Sequence, residues 1–340
     1  MKKKIIGALF LLVIFVFMFT TSKITAGVPV DATTDEPDTT DEEDPEAEEE
    51  EEGILRFGMT GLDTDDPYCG VVKKSIEIEL NRKNYRLLYK KVESTDAKEQ
   101  LAQVEELIQE RVDAVFFCPV DRESEYTEQA LQALRDAEIP IINLETQVKD
   151  LGEVQAFVGS DNRQAGYICG KDLVDRMEDG GKVVLLENSS VNAINERITG
   201  FEKAIANKGF EIIERKDIEG DGGQAKEAMA AVLAENKEID VVMCGNDQMA
   251  LAALQAVQEA GRSDILIYGV EGSPELKQEL AKNNTQIAGT AAQSPIRVGL
   301  KAVEAAVKIL NGKDYDQTTL ETVHFISKEN IALYGADGWQ

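Results

Sequence analysis

Histidine is almost missing from this chain: His324 is the single copy in 340 residues. It stands in a late apolar stretch, Thr322-Val323-His324-Phe325-Ile326, where packing is the expected role. With one histidine, no nucleophile–base arrangement and no histidine-based metal cluster can be read from the sequence, which argues against an enzyme. A hydrolase working through carboxylates alone needs a placed pair of acids, and no such pair stands out. Cysteine is scarce as well. Cys69, Cys118, Cys169 and Cys244 are widely spaced and form no CxxC pair of the metal-binding kind. Each lies in or beside an apolar segment, so four buried free thiols are expected. Cys69–Cys118 is the one bridge to check. Basic residues are outnumbered, 36 Lys and Arg against 64 Asp and Glu, for a formal net charge of -28. The basic surface that phosphate contacts require is lacking, which excludes nucleic acid as the expected partner. The longest apolar run, from Ile5 to Phe19, falls short of the roughly 20 residues of a membrane-spanning helix.

What is present begins with an address. Lys2-Lys3-Lys4 followed by the run Ile5–Phe19 and then by Thr25-Ala26-Gly27 has the charged, apolar and small-residue zones of an export signal. Residues 1–27 are read as a signal peptide or an anchor. No cysteine follows the run, so the usual lipoprotein attachment is absent. Residues 31–52 hold 14 acidic residues and no Lys or Arg. Such a block repels itself and has little apolar surface to bury. It gives a disordered acidic linker over 28–53 and places the protein outside the cytoplasm, at the cell surface or in the periplasm.

From Ile54 onward strand-like and helix-like segments alternate, and the alternation runs twice. Short apolar runs such as Val112–Val120 and Ile139–Glu145 read as buried strands, and amphipathic segments such as Ala97–Arg111 read as helices. The expected fold is α/β, two doubly wound parallel-sheet lobes, with a ligand cleft between them. The pattern is sharpest at Ile239–Ala250. A buried strand breaks at Gly245-Asn246-Asp247 and continues as a helix. Asn246 is expected just past the carboxyl end of the strand, where open parallel sheets bind ligands, and Asp247 is expected to cap the helix.

Four motifs then occur in order. They are Glu196-Arg197 with Gly200-Phe201, Gly245-Asn246-Asp247-Gln248-Met249-Ala250, Tyr268-Gly269-Val270-Glu271-Gly272-Ser273-Pro274, and Gln293-Ser294-Pro295. Together they resemble the type I periplasmic-type sugar-binding proteins over about Ile54 to Tyr334. Sugar-responsive repressors share these lobes but carry an N-terminal helix-turn-helix, whose place an export signal takes here. The resemblance implies three crossovers forming a hinge, near Ser160-Asp161, Ala292-Gln293 and Glu321-Thr322. The lobes would be 54–160 with 293–321, and 161–292 with 322–340.

The resemblance also implies a site. Arg197 supplies donors to sugar hydroxyls, Asn246 and Gln293 supply amides, and Glu271 stands where the family usually carries Asp. In the first lobe Asp66 and Tyr68 occupy the place of an Asn-Pro-aromatic loop. Cys69 replaces a second aromatic, Cys118 falls where asparagine is common, and Glu145 falls where ribose binders carry Asp. These departures speak against ribose itself and describe a carboxylate-rich site, with Asp221 a further candidate, suited to a neutral or cationic polyol. The implied function is an exported, monomeric protein that captures a sugar or sugar-like polyol and delivers it to the permease of an ABC importer. The alternative is a receptor of the same fold signalling to a membrane kinase or chemoreceptor. No cofactor or metal is implied. Gly220-Asp221-Gly222-Gly223 lacks the Lys and Ser/Thr of a phosphate loop, and Asp63–Asp66 lacks the downstream Glu and glycine of an EF-hand.

Overall fold

Strands and helices alternate along the chain in the computed structural model, which describes residues 53–340 apart from 63, 64, 93–95 and 219–221. The expected signal or anchor at 1–27, nearly all of the acidic linker, and Asp221 lie outside the described residues. The first series runs β1 (Arg56–Thr60), α1 (Pro67–Arg82), β2 (Arg86–Lys90), α2 (Ala97–Gln109), β3 (Ala114–Phe117), α3 (Glu125–Asp136), β4 (Ile141–Leu144) and β5 (Ala156–Ser160). The second runs α4 (Asn162–Arg176), β6 (Gly181–Glu187), α5 (Asn192–Ile205), β7 (Phe210–Asp217), α6 (Gly222–Glu235), β8 (Val241–Cys244), α7 (Asp247–Glu259), β9 (Leu266–Glu271), α8 (Pro274–Leu280) and β10 (Ile287–Ala292). Four elements close the chain: α9 (Pro295–Leu310), β11 (Thr318–Glu321), β12 (His324–Ser327) and the single turn α10 (Ile331–Tyr334).

Two six-stranded sheets result, ordered β11-β5-β4-β3-β1-β2 and β12-β10-β9-β8-β6-β7. The first five strands of each half therefore follow one winding order. All pairs are parallel except β10 with β12, which is antiparallel. The sequence dictates which strands are central. AVFF, IINL and VVMC are apolar on both faces and wholly buried, as a parallel sheet covered by helices requires. Edge strands β2 and β7 carry the charged residues and remain partly exposed.

Each sheet has its own core. Phe57, Phe116, Val158 and Val303 pack on one face of the first sheet, and Leu107, Phe117 and Leu134 on the other. Leu185, Phe201, Met243 and Tyr268 belong to the core of the second. Helix α9, which follows β10 of the second sheet, packs on the first-lobe core through Val298, Ala302 and Val303. The chain thus passes between the sheets after Ser160, after Ala292 and between Glu321 and His324.

Several helices start directly behind strand ends, so their caps gather at the carboxyl edges of the sheets. Asp66 caps α1 by accepting from the Cys69 N–H at 2.8 Å, and Asp161 caps α4 from Gln164 at 2.9 Å. Pro67 opens α1 at the first helical position, since its missing N–H would have no partner there. The cap of α7 differs from expectation. Asn246, not Asp247, accepts from the Met249 N–H at 2.9 Å, while Asp247 is turned inward and buried.

Helices α4 and α5 cross at glycines. A Cβ on Gly200 would lie 1.9 Å from the Arg163 carbonyl oxygen, and one on Gly166 would lie 1.6 Å from that of Arg197. This close crossing holds Arg197 beside the start of α4, so the glycine three residues after the arginine in the second-lobe motif is a packing requirement. Gly200→Ala is expected to cost roughly 1–3 kcal/mol, because the backbones must separate to admit the methyl group. Urea unfolding of the two proteins measures it, and an unchanged midpoint would refute the close-crossing account.

Candidate functional site

All eight residues singled out in the sequence lie at or beside the carboxyl edges of the two sheets or at the hinge. Asp66 and Tyr68 follow β1, Cys118 follows β3 and Glu145 follows β4. Arg197 is on α5, Asn246 follows β8, Glu271 ends β9 and Gln293 follows β10. This is the edge at which open parallel sheets take ligands.

The centre is Arg197, buried with 4% of its surface exposed. Its Nε donates to Asn162 Oδ1 at 2.9 Å. Nη1 donates to the Gly245 carbonyl at 2.9 Å and to Glu271 Oε1 at 3.3 Å, and Nη2 donates to Gln293 Oε1 at 3.0 Å. Gln293 Nε2 donates to the same Asn162 oxygen at 2.9 Å. The guanidinium therefore ties together the β10 end of the β10–α9 crossover, the start of α4 and the strand ends of the second lobe. Most of its five N–H donors are aimed at protein acceptors.

A second cluster lies in the first lobe. The buried Tyr68 hydroxyl donates to Glu145 Oε1 at 3.1 Å and shares a 3.0 Å hydrogen bond with Ser160 Oγ at the first crossover. The two clusters feel each other: Arg197 lowers the pKa of Glu145, and Asp66 raises that of Glu271. Asn246 spends its amide oxygen on the α7 cap, which leaves the amide nitrogen as its donor. Cys118 is buried at the end of β3 and bonds through its backbone to Thr60 and Gln100. The four thiols are free, so the Cys69–Cys118 bridge is not formed. Cys69 is half-buried rather than buried, because it sits at the exposed start of α1.

Backbone geometry singles out the two glutamates. Among the described residues six non-glycine positions have positive φ, and Asn84, Arg111, Glu138 and Asn207 are at helix C-termini, where that conformation is routine. The other two are Glu145 at 53° and Glu271 at 124°. They occupy equivalent places in the two halves, the ends of β4 and β9. Strained backbone of this kind costs about 1–3 kcal/mol and concentrates at ligand clamps.

Asn162 gave no signal in the sequence, and Ser160 and Asp247, expected only as a crossover residue and a helix cap, make site contacts of their own. Asn162 opens α4, and its buried amide oxygen is the common acceptor for Arg197 and Gln293. Asp247 accepts from the Ser273 N–H at 2.6 Å and from Thr290 Oγ1 at 2.7 Å, fixing the turn after Glu271.

A model of the periplasmic binding protein domain matches residues 57–314. The chain belongs to the periplasmic binding protein family. The ribose import binding protein RbsB of Escherichia coli (strain K12) is 32% identical over 250 residues, covering 73% of this chain and 82% of that protein. The protein of the same name from Bacillus subtilis (strain 168) is 30% identical over 263 residues, covering 77% and 83%. Among solved structures, an ABC transporter solute binding protein from Bacillus halodurans C-125 with bound myo-inositol superposes with a TM-score of 0.77 at 24% identity. That alignment covers 83% of this chain and 97% of the other. The family is one of substrate-binding proteins, and its fold is the two-lobed arrangement described above.

In this periplasmic binding protein the cleft carboxyls are poor acids. Burial pushes Glu145 up to about 7, with the Tyr68 hydrogen bond and Arg197 opposing and Asp66 adding to the rise. Burial also raises Glu271, against the pull of Arg197, and lifts Asp247 to about 6. A carboxyl whose folded pKa exceeds its unfolded value near 4.3 binds an extra proton in the folded state between those pH values. Its stabilising contribution is complete below about pH 4.3 and is lost as pH rises through about 7. The melting temperature is therefore expected to fall from pH 5 to pH 8, and to fall less in Glu145→Gln. Parallel slopes for the two proteins would refute the assignment.

Removing one member of the buried ion pair strands the other. Arg197→Ala is expected to cost roughly 3–5 kcal/mol at pH 8, and adding Glu271→Gln should recover part of that loss. The check is a double-mutant cycle by urea unfolding, in which the absence of any recovery would show that the pair is not coupled.

Proposed function

We propose that this chain is the exported component that captures a sugar or sugar-like polyol between its two lobes and delivers it to an ABC importer, without chemical turnover. The observation that carries this reading is the set of carboxyl, amide, phenol and guanidinium groups at the facing sheet edges, linked across the hinge through Arg197 and Gln293. Relatives named as ribose import binding proteins support an importer over a membrane sensor. The myo-inositol held by the Bacillus halodurans neighbour is a polyol of the same kind.

In this reading Glu145 and Glu271 accept from ligand hydroxyls, Asn246 donates through its amide nitrogen, and Tyr68 presents its ring to the apolar face of the ligand. Asp66, Cys118 and Gln293 complete the wall, and Arg197 holds the donors and acceptors in place while contributing its remaining hydrogen. The site offers the carboxyls of Asp66, Glu145 and Glu271 against one guanidinium that is already paired with Glu271, so the ligand is neutral or cationic rather than anionic. The protein acts as a monomer with lobes 54–160 plus 293–321 and 161–292 plus 322–340, targeted or anchored through residues 1–27 and spaced by 28–53. Among the described residues no helix is long and apolar enough to cross a membrane.

The test is thermal unfolding of the full chain against pentoses, hexoses, inositols, amino sugars and uronates. Binding to the folded state alone raises the midpoint by mass action, by about 2.7 kcal/mol of stability at a hundredfold excess over Kd. A shift with one neutral or amino polyol is the expected result. A shift with uronates only would overturn the charge argument, and none at millimolar concentration would overturn the polyol reading.

A further inference from the structure

Residues 336–340 lie outside every helix and strand of the two lobes, yet they touch both. On the second-lobe side Lys277 of α8 is fully buried, and its Nζ donates to the Gly338 carbonyl. A buried lysine is expensive unless its ammonium has partners, and here Asp247 and Asp337 also lie close enough to favour its charge. On the first-lobe side the ring of Trp339 meets Tyr68 edge-on with centroids 5.8 Å apart, and it packs against the first-lobe core. At the hinge, Ser294 Oγ donates to the Gln340 carbonyl. The segment assigned from sequence to the second lobe is therefore shared between the two.

We propose that residues 336–340 form a strap across the cleft, latched to the second lobe by Lys277 and to the first by Trp339 against Tyr68, and that Trp339 is a positioning residue for the Tyr68 ring. This rests on the reading that the two lobes separate about the hinge. Tyr68 is buried in the first-lobe core, and its hydroxyl is held by Glu145 and Ser160. An edge-to-face neighbour fixes the plane of the ring, which decides what the ring presents to the cleft. The first lobe has Cys69 beside Tyr68, so the strap brings to this wall an aromatic that the loop itself lacks. Separation of the lobes must break one latch or the other, so docking of the strap and closure favour each other.

Trp339 is the sole tryptophan of the chain, so its fluorescence reports the strap alone. The full chain is compared with Tyr68→Ala and Lys277→Met by emission maximum and acrylamide quenching, with circular dichroism to verify folding, and a shortened chain lacking residues 336–340, which has no tryptophan, is kept for small-angle scattering. No sugar is added, so the outcome is independent of the ligand reading above. In the unmodified chain the emission is expected to be blue-shifted and the quenching several-fold weaker than for free indole. Tyr68→Ala and Lys277→Met should each shift the emission to the red and raise quenching towards the free value, because each removes one latch. Tyr68→Phe keeps the ring and should retain the protected signal. Release by only one of the two substitutions would assign the segment to a single lobe and overturn the strap, as would free-indole quenching in the unmodified chain. If Lys277→Met does not fold, Tyr68→Ala against Tyr68→Phe still decides the first-lobe latch. In that case small-angle scattering of the shortened chain decides the second, through an increase in radius of gyration over the full chain. An unchanged radius would overturn the proposal.

Discussion

One guanidinium has been taken out of water at the point where the two lobes meet, and much of the local architecture answers that cost. A buried cation requires a compensating anion and full hydrogen bonding, and Arg197 has Glu271, the Gly245 carbonyl and the amide oxygens of Asn162 and Gln293. Each acceptor sits where the chain ends one element and begins another. The strand ends of β8 and β9, the start of α4 and the second crossover are thereby held in fixed relation. Such a pair adds little to stability compared with an apolar core, but removing either partner is costly, so the arrangement is specified rather than merely tolerated.

The two halves meet this centre unequally. Their winding order is the same, and both place a glutamate with positive φ at the end of the fourth strand. In the second lobe that glutamate faces a cation; in the first it faces a phenol and a second acid. Burial raises both carboxyls, Glu145 to about 7 and Glu271 well above its ordinary value despite the pull of Arg197. The cleft thus joins two walls whose carboxyl charge depends on pH and on what is bound.

Much of this was legible in the sequence because strand and helix signals are local. Apolar runs such as AVFF and VVMC and the glycine-bounded turns behind them announced the sheets, and the four motifs carried the second-lobe side of the site. What escaped depends on contacts between distant segments. Asn162 looks like an ordinary residue near a helix start until the α4–α5 crossing brings Arg197 to it. The exchange of roles between Asn246 and Asp247 turns on which of two adjacent polar side chains is enclosed by Ser273 and Thr290, residues more than twenty positions away. Trp339 gave no local signal at all, since its partner Tyr68 lies near the other end of the described chain.

The three passages between sheets also set an order of events in time. The core of the first lobe includes Val298, Ala302, Val303 and Ala306 from α9, and its edge strand β11 ends at Glu321. A chain emerging from its N-terminal end has completed β1 to β5 long before those residues exist. Until then one face of the first sheet has α1 but lacks the helix α9 packed beside it, and must stay loose or be held by something else. The second lobe, continuous from α4 to β10, lacks only the late antiparallel strand β12 and is free to pack earlier. The interlaced chain path thus makes the lobe that comes first in sequence the one that must wait to finish folding.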